Sequence, residues 1–209
     1  MVNSLRALPA AQKAMLASLL LAVALANIAQ PYPDLAILQH IPTVLLVLAA
    51  PWLLRRWPLS TGSVAALWTF WLLHTIGGRY IYSYVPYDDW ARALTGGTIS
   101  GAFGWPRNEY DRLVHFAFGL LWTLPIREVL VRWHGVGRGL GLFVAFAIIG
   151  LSSALYEIFE WLLTLLAAGD TADYYNGQQG DLWDAQKDMA LAQVGSLGAL
   201  SWSLRRRER

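Results

Sequence analysis

Cysteine is absent from all 209 positions, which excludes disulfides, thiolate metal ligands and a cysteine nucleophile. The remaining chemistry rests on His, Asp, Glu, Ser and Tyr. Charge is scarce too: charged residues are 14% of the chain against 56% hydrophobic, and mean hydropathy is +0.39, leaving too little polar surface for a water-soluble globule of this length. Also missing are a P-loop, the His-Glu-x-x-His zinc spacing, an alternating barrel pattern, internal repeats and any low-complexity segment. The pI near 9.0 does not point to nucleic acid, because the bases gather at the ends of apolar stretches instead of on one soluble face.

What is present is a series of apolar runs of about 20 residues, the length that crosses a bilayer core of about 30 Å. They fall at Lys13–Ile28, Leu35–Leu54, Thr61–Val85, Asp111–Trp133, Gly139–Ala168 and Asp181–Leu204. An open sheet cannot span lipid, so the expected fold is all-α: a polytopic integral membrane bundle of about six helices, forming a single domain over residues 1–209. The basic run near the N-terminus opens an uncleaved first helix in preference to a signal peptide. Basic residues at Arg6, Lys13, Arg55, Arg56, Arg127, Arg132, Arg138 and Arg205–Arg207 and Arg209 share one side, where Glu128 and Glu208 are the only acids. By the positive-inside rule that side is cytoplasmic, with both termini on it.

The other acids then belong to outer loops and outer halves of helices. The motif Gly180-Asp181-Leu-Trp183-Asp184-Ala-Gln-Lys187-Asp188 puts carboxylates at helical spacing at the mouth of the last run. Asp111 and His115 are four apart and share a face at the start of the fourth, and Glu157 and Glu160 lie about 12 to 16 Å short of the outer end of the fifth. His74 lies about 18 Å below Pro86 if its helix runs unbroken to that proline. Four helices thus bring acids or imidazoles to one outer half-membrane layer. A buried carboxylate must be protonated, paired or bound to a cation, so three readings stand: a metal or charge-relay catalytic site, a cation or proton pathway, and a structural network with Arg79, Arg107, Arg112 and Lys187. His40, alone among aliphatics, reads as a packing residue, and Gly177–Gly180 as a tight turn aiming Asp181 and Trp183. Gly195 and Gly198 predict close contact with a neighbouring helix.

The motifs His74-x-x-Gly77-Gly78-x-Tyr80, Arg107-Asn108-x-Tyr110-Asp111-Arg112-x-x-His115-Phe116, Tyr156-Glu157-x-x-Glu160-Trp161 and Gly180-Asp181-x-Trp183-Asp184-x-Gln186-x-Asp188-Met189 together resemble the uncharacterised bacterial inner-membrane family typified by YjdF. More distantly, the layout is similar to the VanZ-like membrane proteins of the cell envelope. The chain departs from the family pattern at Val114 and Phe118. The first resemblance implies a location in the bacterial inner membrane and no established activity.

The leading expectation is a metal-dependent membrane enzyme, hydrolytic in kind, acting on a lipid or cell-envelope precursor within the bilayer. His115, Glu157, Asp184 and Asp188 are then the ligands of a divalent ion such as Zn²⁺, Mn²⁺ or Mg²⁺. Glu160 or His74 serves as general base or as a partner that supports the ligands. Arg107, Arg112, Asp111, Asp181 and Trp183 contact substrate, the arginines holding an anionic head group. The rivals are a cation- or proton-coupled transporter and a non-catalytic scaffold.

Overall fold

A computed structural model describes residues 8–166 and 178–205. Among them run eight helices and no strand: α1 (Ala10–Ala26), α2 (Pro33–Arg56), α3 (Thr61–Arg79), α4 (Tyr87–Thr95), α5 (Ile99–Phe103), α6 (Tyr110–Trp133), α7 (Arg138–Leu166) and α8 (Asp184–Arg205). The six long helices stand where the apolar runs predict them. Asp170, Asp173, Tyr174 and Tyr175 of the last outer loop, together with Arg6 and the terminal cluster from Arg206, lie outside the described residues.

Local chemistry sets the helix ends. Pro33 begins α2, where its fixed φ suits the first turn and its missing N–H costs nothing. The last carbonyls of α1 are gathered by the Arg79 guanidinium, which donates to Ala26 O at 2.6 Å and Ile28 O at 2.9 Å, placing a cation on a negative helix end. At the start of α3, Ser60 caps the Ser63 N–H, and Glu128 of α6 accepts from Ser60 N (2.7 Å), Ser60 Oγ (2.7 Å) and Ser63 Oγ (2.5 Å).

The third helix ends earlier than its apolar run. It stops at Arg79, and Ile81 and Tyr82 take positive φ of 43° and 57°. The turn is held by Tyr82 N donating to Gly77 O at 2.8 Å and by a Tyr82 Oη–His74 Nδ1 hydrogen bond. The Tyr82 ring covers Gly77 so closely that a Cβ there would sit 2.6 Å from it. His74 is therefore about 8 Å from the end of its helix, not 18 Å. The connection from α3 to α6 carries α4 and α5, neither with a buried residue.

Helix α6 is the hub. It packs on α3, α7 and α8, while α1 and α2 pack on α3 and on each other. The tightest crossing is α6 on α8, where Gly119 and Gly195 bring backbones together: a Cβ on Gly119 would lie 1.8 Å from Ala192 O, and one on Gly195 would lie 2.1 Å from Phe116 O. Gly198 makes no such contact. Its Cβ would meet only Leu120 Cδ1, at 3.5 Å.

Among the described residues, three helices are long and apolar enough to cross a membrane: Leu38–Arg56, Tyr110–Trp133 and Arg138–Leu165. Helices α3 and α8 fall short in hydropathy because of the polar residues they carry. In α8 those residues face inward, since Asp184, Asp188, Ala192, Gly195, Ser196 and Ala199 form one buried stripe.

Candidate metal centre

The outer ends of α6 and α8 are fastened by backbone and charge. Asn108 and Gln179 exchange two hydrogen bonds of 3.0 Å, Asn108 N to Gln179 Oε1 and Gln179 Nε2 to Asn108 O. Gln179 and Gly180, with φ of 47° and 83°, form the tight turn that the sequence predicts. Asp181 lies before α8, not on it, and its Oδ1 accepts from Trp183 N at 3.0 Å.

Three cations and three acids match one another here. Arg107 pairs with Asp184 and also donates to Gln178 O at 2.9 Å. Arg112 grips Glu109 through Nη1 at 2.7 and 2.9 Å, and through Nη2 reaches Asp181 and, at 3.3 Å, Asp184. Lys187 Nζ lies 2.6 Å from Asp181 Oδ2. The Asp181 carboxyl, at this outer turn, is held well below the usual carboxylate range, first by the Lys187 hydrogen bond and then by the Trp183 N–H.

Beneath that neutral layer the charges are not matched. Asp111, His115 and Asp188 each offer a ligand atom, and the three atoms lie within 4.8 Å of one another. His115 Nε2 stands 3.8 Å from Asp111 Oδ1 and 3.6 Å from Glu157 Oε1. Glu160, one turn outward on α7, is buried and shares a hydrogen bond with Tyr156. No Arg or Lys among the described residues forms an ion pair with these four carboxylates. Asp188, only 2% exposed, has a buried Oδ1 without a hydrogen-bond partner there, and Glu157 Oε1 is in the same condition.

These residues fit a divalent ion. Ligand atoms about 2.1 Å from a tetrahedral ion are about 3.4 Å apart, close to the 3.6 and 3.8 Å that separate His115 Nε2 from Glu157 and Asp111 and longer than a direct hydrogen bond. One imidazole with several carboxylates suits Zn²⁺ or Mn²⁺, and a carboxylate subset suits Mg²⁺.

The expected site residues divide accordingly. His115, Glu157 and Asp188 come together, and Asp111, expected to touch substrate, stands with them, its carboxylate within 4.8 Å of the His115 and Asp188 ligand atoms. Its four-residue spacing from His115 was the signal for that placement. Asp184, expected as a ligand, turns to Arg107 instead. Both ring nitrogens of His74 are engaged, by Gln39 O at 2.9 Å and by Tyr82 Oη, so it has no nitrogen left to act as a base. Arg112 pairs with Asp181 and Arg107 with Asp184, while Arg107 Nη2 and Arg112 Nε are buried without a hydrogen-bond partner among the described residues. Trp183 is 65% exposed and lines no cavity with them. His40 is buried between Asn27 Nδ2 and Thr75 O, the packing role expected of it.

Two hollows flank the unmatched layer. One of about 840 Å³ opens outward over Arg107, Arg112, Asp181 and Lys187. The other, about 390 Å³, is lined by Asp111 and His115 and by the aromatic residues of α3 and α6.

Comparison with known proteins adds a family. Residues 12–209 match the family described as "Predicted membrane protein (DUF2238)". The chain is 40% identical over 148 residues to "Inner membrane protein YjdF" of Escherichia coli (strain K12), a match covering 68% of this chain and 65% of that relative's length. These matches carry the resemblance to the YjdF-typified family and lend nothing to the VanZ-like one. No solved structure matches.

Proposed function

The chain belongs to the DUF2238 family of predicted membrane proteins, and from that membership we propose a multi-pass inner-membrane enzyme whose buried cluster is a divalent-metal centre. The observation that supports this most is the unmatched inner layer. Two buried and two half-buried carboxylates gather with one imidazole below a layer in which every acid already has its cation. A structural network would not leave the inner acids without cations while matching the outer ones.

In this reading Asp111, His115 and Asp188 hold the ion, with Glu157 as a fourth donor. Such an ion supplies a lowered water pKa and polarises a phosphoryl or carbonyl oxygen. Glu160, buried one turn from Glu157, is placed to hold or pass a proton. The reaction class is hydrolysis of a lipid or envelope precursor. Arg107 and Arg112 lock α6 to α8 and orient Asp184, a positioning role in place of an anion clamp. All six long helices cross the bilayer in this reading, the polar stripes of α3 and α8 being turned inward.

Transport is disfavoured by the packing below the cluster. There α6 and α8 meet backbone to backbone at Gly119 and Gly195, and the polar contacts are a buried Thr123–Ser196 hydroxyl pair at 2.7 Å and, nearer the basic end, Arg127 Nη1 donating to Ser203 Oγ at 3.4 Å. That seam leaves no wet route toward the basic end.

The test is metal content of the detergent-purified protein by inductively coupled plasma mass spectrometry. Wild type is expected to carry near-stoichiometric metal, reduced at least about tenfold in Asp188→Asn and in Glu157→Gln. Metal-free wild type, with both variants folded, would overturn the reading.

A further inference from the structure

The 390 Å³ hollow beside the cluster has an unusual position among the helices. Helices α3 and α7 both pack on α6 but make no substantial contact with each other, so the hollow is a cleft with α6 as its floor. Its walls are aromatic: Phe70 lies 5.8 Å from Phe118 and 5.8 Å from Trp122, ring centre to ring centre, and Trp71 meets Trp122 at 6.2 Å. Asp111 and His115 line it as well, so the apolar space is continuous with the polar cluster. On the α7 side Tyr156 is partly exposed, with its ring 5.9 Å from that of His115. Beyond it the outer face of α7 carries Leu151, Leu155, Phe159 and Leu162, all exposed and apolar as a lipid-facing surface is.

We propose that this cleft admits and seats a single hydrocarbon chain of an amphiphilic substrate, entering sideways from the bilayer between α3 and α7 with its polar head at Asp111 and His115. Three observations select that occupant. The gap between α3 and α7 adjoins the exposed apolar face of α7, which in a bilayer meets hydrocarbon. The volume holds about a dozen methylene-sized groups, taking about 30 Å³, the share of one water in the liquid, as the unit. An apolar wall that ends on an acid and an imidazole matches a molecule with one polar end. The inference rests on the catalytic reading only for what the head meets, and names the substrate class as a membrane amphiphile with a long chain.

The test uses the full chain in phosphatidylcholine vesicles containing a long-chain alkyl phosphate with a diazirine at its chain end. Photolysis and peptide mapping are followed by metal analysis of the same sample. Crosslinks are expected to concentrate on Phe70, Phe118 and Trp122 over lipid-facing Leu151 and Leu165. Unlabelled alkyl phosphate should compete with them, and inorganic phosphate should not. Val114→Trp fills the cleft from its floor and Ser152→Trp from its rim, so each should cut the chamber crosslinks several-fold. The second variant, at a half-buried position, keeps the test valid if the first fails to fold. Crosslinks no denser in the cleft than at Leu151 and Leu165 mean surrounding lipid only and overturn the proposal. So does protein-to-protein crosslinking through the cleft, which would make a second copy the occupant. Metal retained with an unlabelled cleft sinks this inference and leaves the catalytic reading standing; a labelled cleft without metal does the reverse.

Discussion

Asp181 and Asp188 belong to one motif and meet opposite electrostatic fates. Asp181 sits at the outer turn with Lys187, Arg112 and the Trp183 N–H on its oxygens, whereas Asp188 faces Asp111 and His115 in the unmatched layer. Because Asp181 has its carboxyl pKa depressed by folding, its stabilising effect is present above the unfolded value of about 4 and is lost as pH falls. Thermal unfolding followed by tryptophan fluorescence should therefore show wild type above Asp181→Asn at neutral pH, with the gap closing in acid. An unchanged gap down to strong acid would refute the assignment. The sequence could say that this motif's carboxylates were costly, but not which were matched. Spacing along a helix fixes a face, and the choice between Arg107 and an ion for Asp184 depends on a loop residue 77 positions away in the chain.

At the scale of elements, two contacts decide how α6 is held. At the α6–α8 crossing there is no room for a methyl group on Gly119 or Gly195, since backbone atoms of the partner lie within about the length of a covalent bond or two of the Cβ position. Gly195→Ala is expected to cost about 2 kcal/mol or more, whereas Gly198→Ala, with only a 3.5 Å contact to Leu120, should be neutral or stabilising. Equal effects of the two would show that the crossing is not the seam described. At the basic end, Glu128 serves the first turn of α3 from another helix, so Glu128→Ala should cost about 1 to 2 kcal/mol by the loss of a cap. Ser60→Ala combined with it should cost less than the sum of the two single changes, because Ser60 Oγ both donates to Glu128 and caps the Ser63 N–H. Both glycines of α8 were legible as small residues near a helix contact, yet only Gly195 is in one. Sequence spacing cannot say which turn of a helix faces its neighbour most closely. Likewise the hydrophobic run from Thr61 to Val85 concealed the end of α3 at Arg79, because the turn is made by a tyrosine folding back over Gly77 and by a left-handed Ile81, neither of which breaks an apolar pattern.

For the molecule as a whole, polarity is distributed along two axes. Across the bundle, polar residues turn toward α6; along it, Arg55, Arg56, Arg127, Arg132 and Arg138 gather at one end, with Glu128 among them, and the acids of the cluster lie at the other. The second axis predicts orientation, since basic loops resist translocation. The absence of native cysteine makes it measurable. Gly97, between α4 and α5, and Gly137, in the turn before α7, have open space around them, so a cysteine at either position leaves the packing undisturbed. In spheroplasts, a membrane-impermeant maleimide should label Gly97→Cys directly and Gly137→Cys only after permeabilisation. The reverse pattern would place the acidic cluster on the cytoplasmic half and invert the topology. Labelling of both without permeabilisation would mean an even number of crossings between them, which α6, spanning from one position to the other alone among the long helices, does not allow. The orientation also bears on the proposed substrate: with the acidic end outward, a chain seated between α3 and α7 would lie in the outer leaflet.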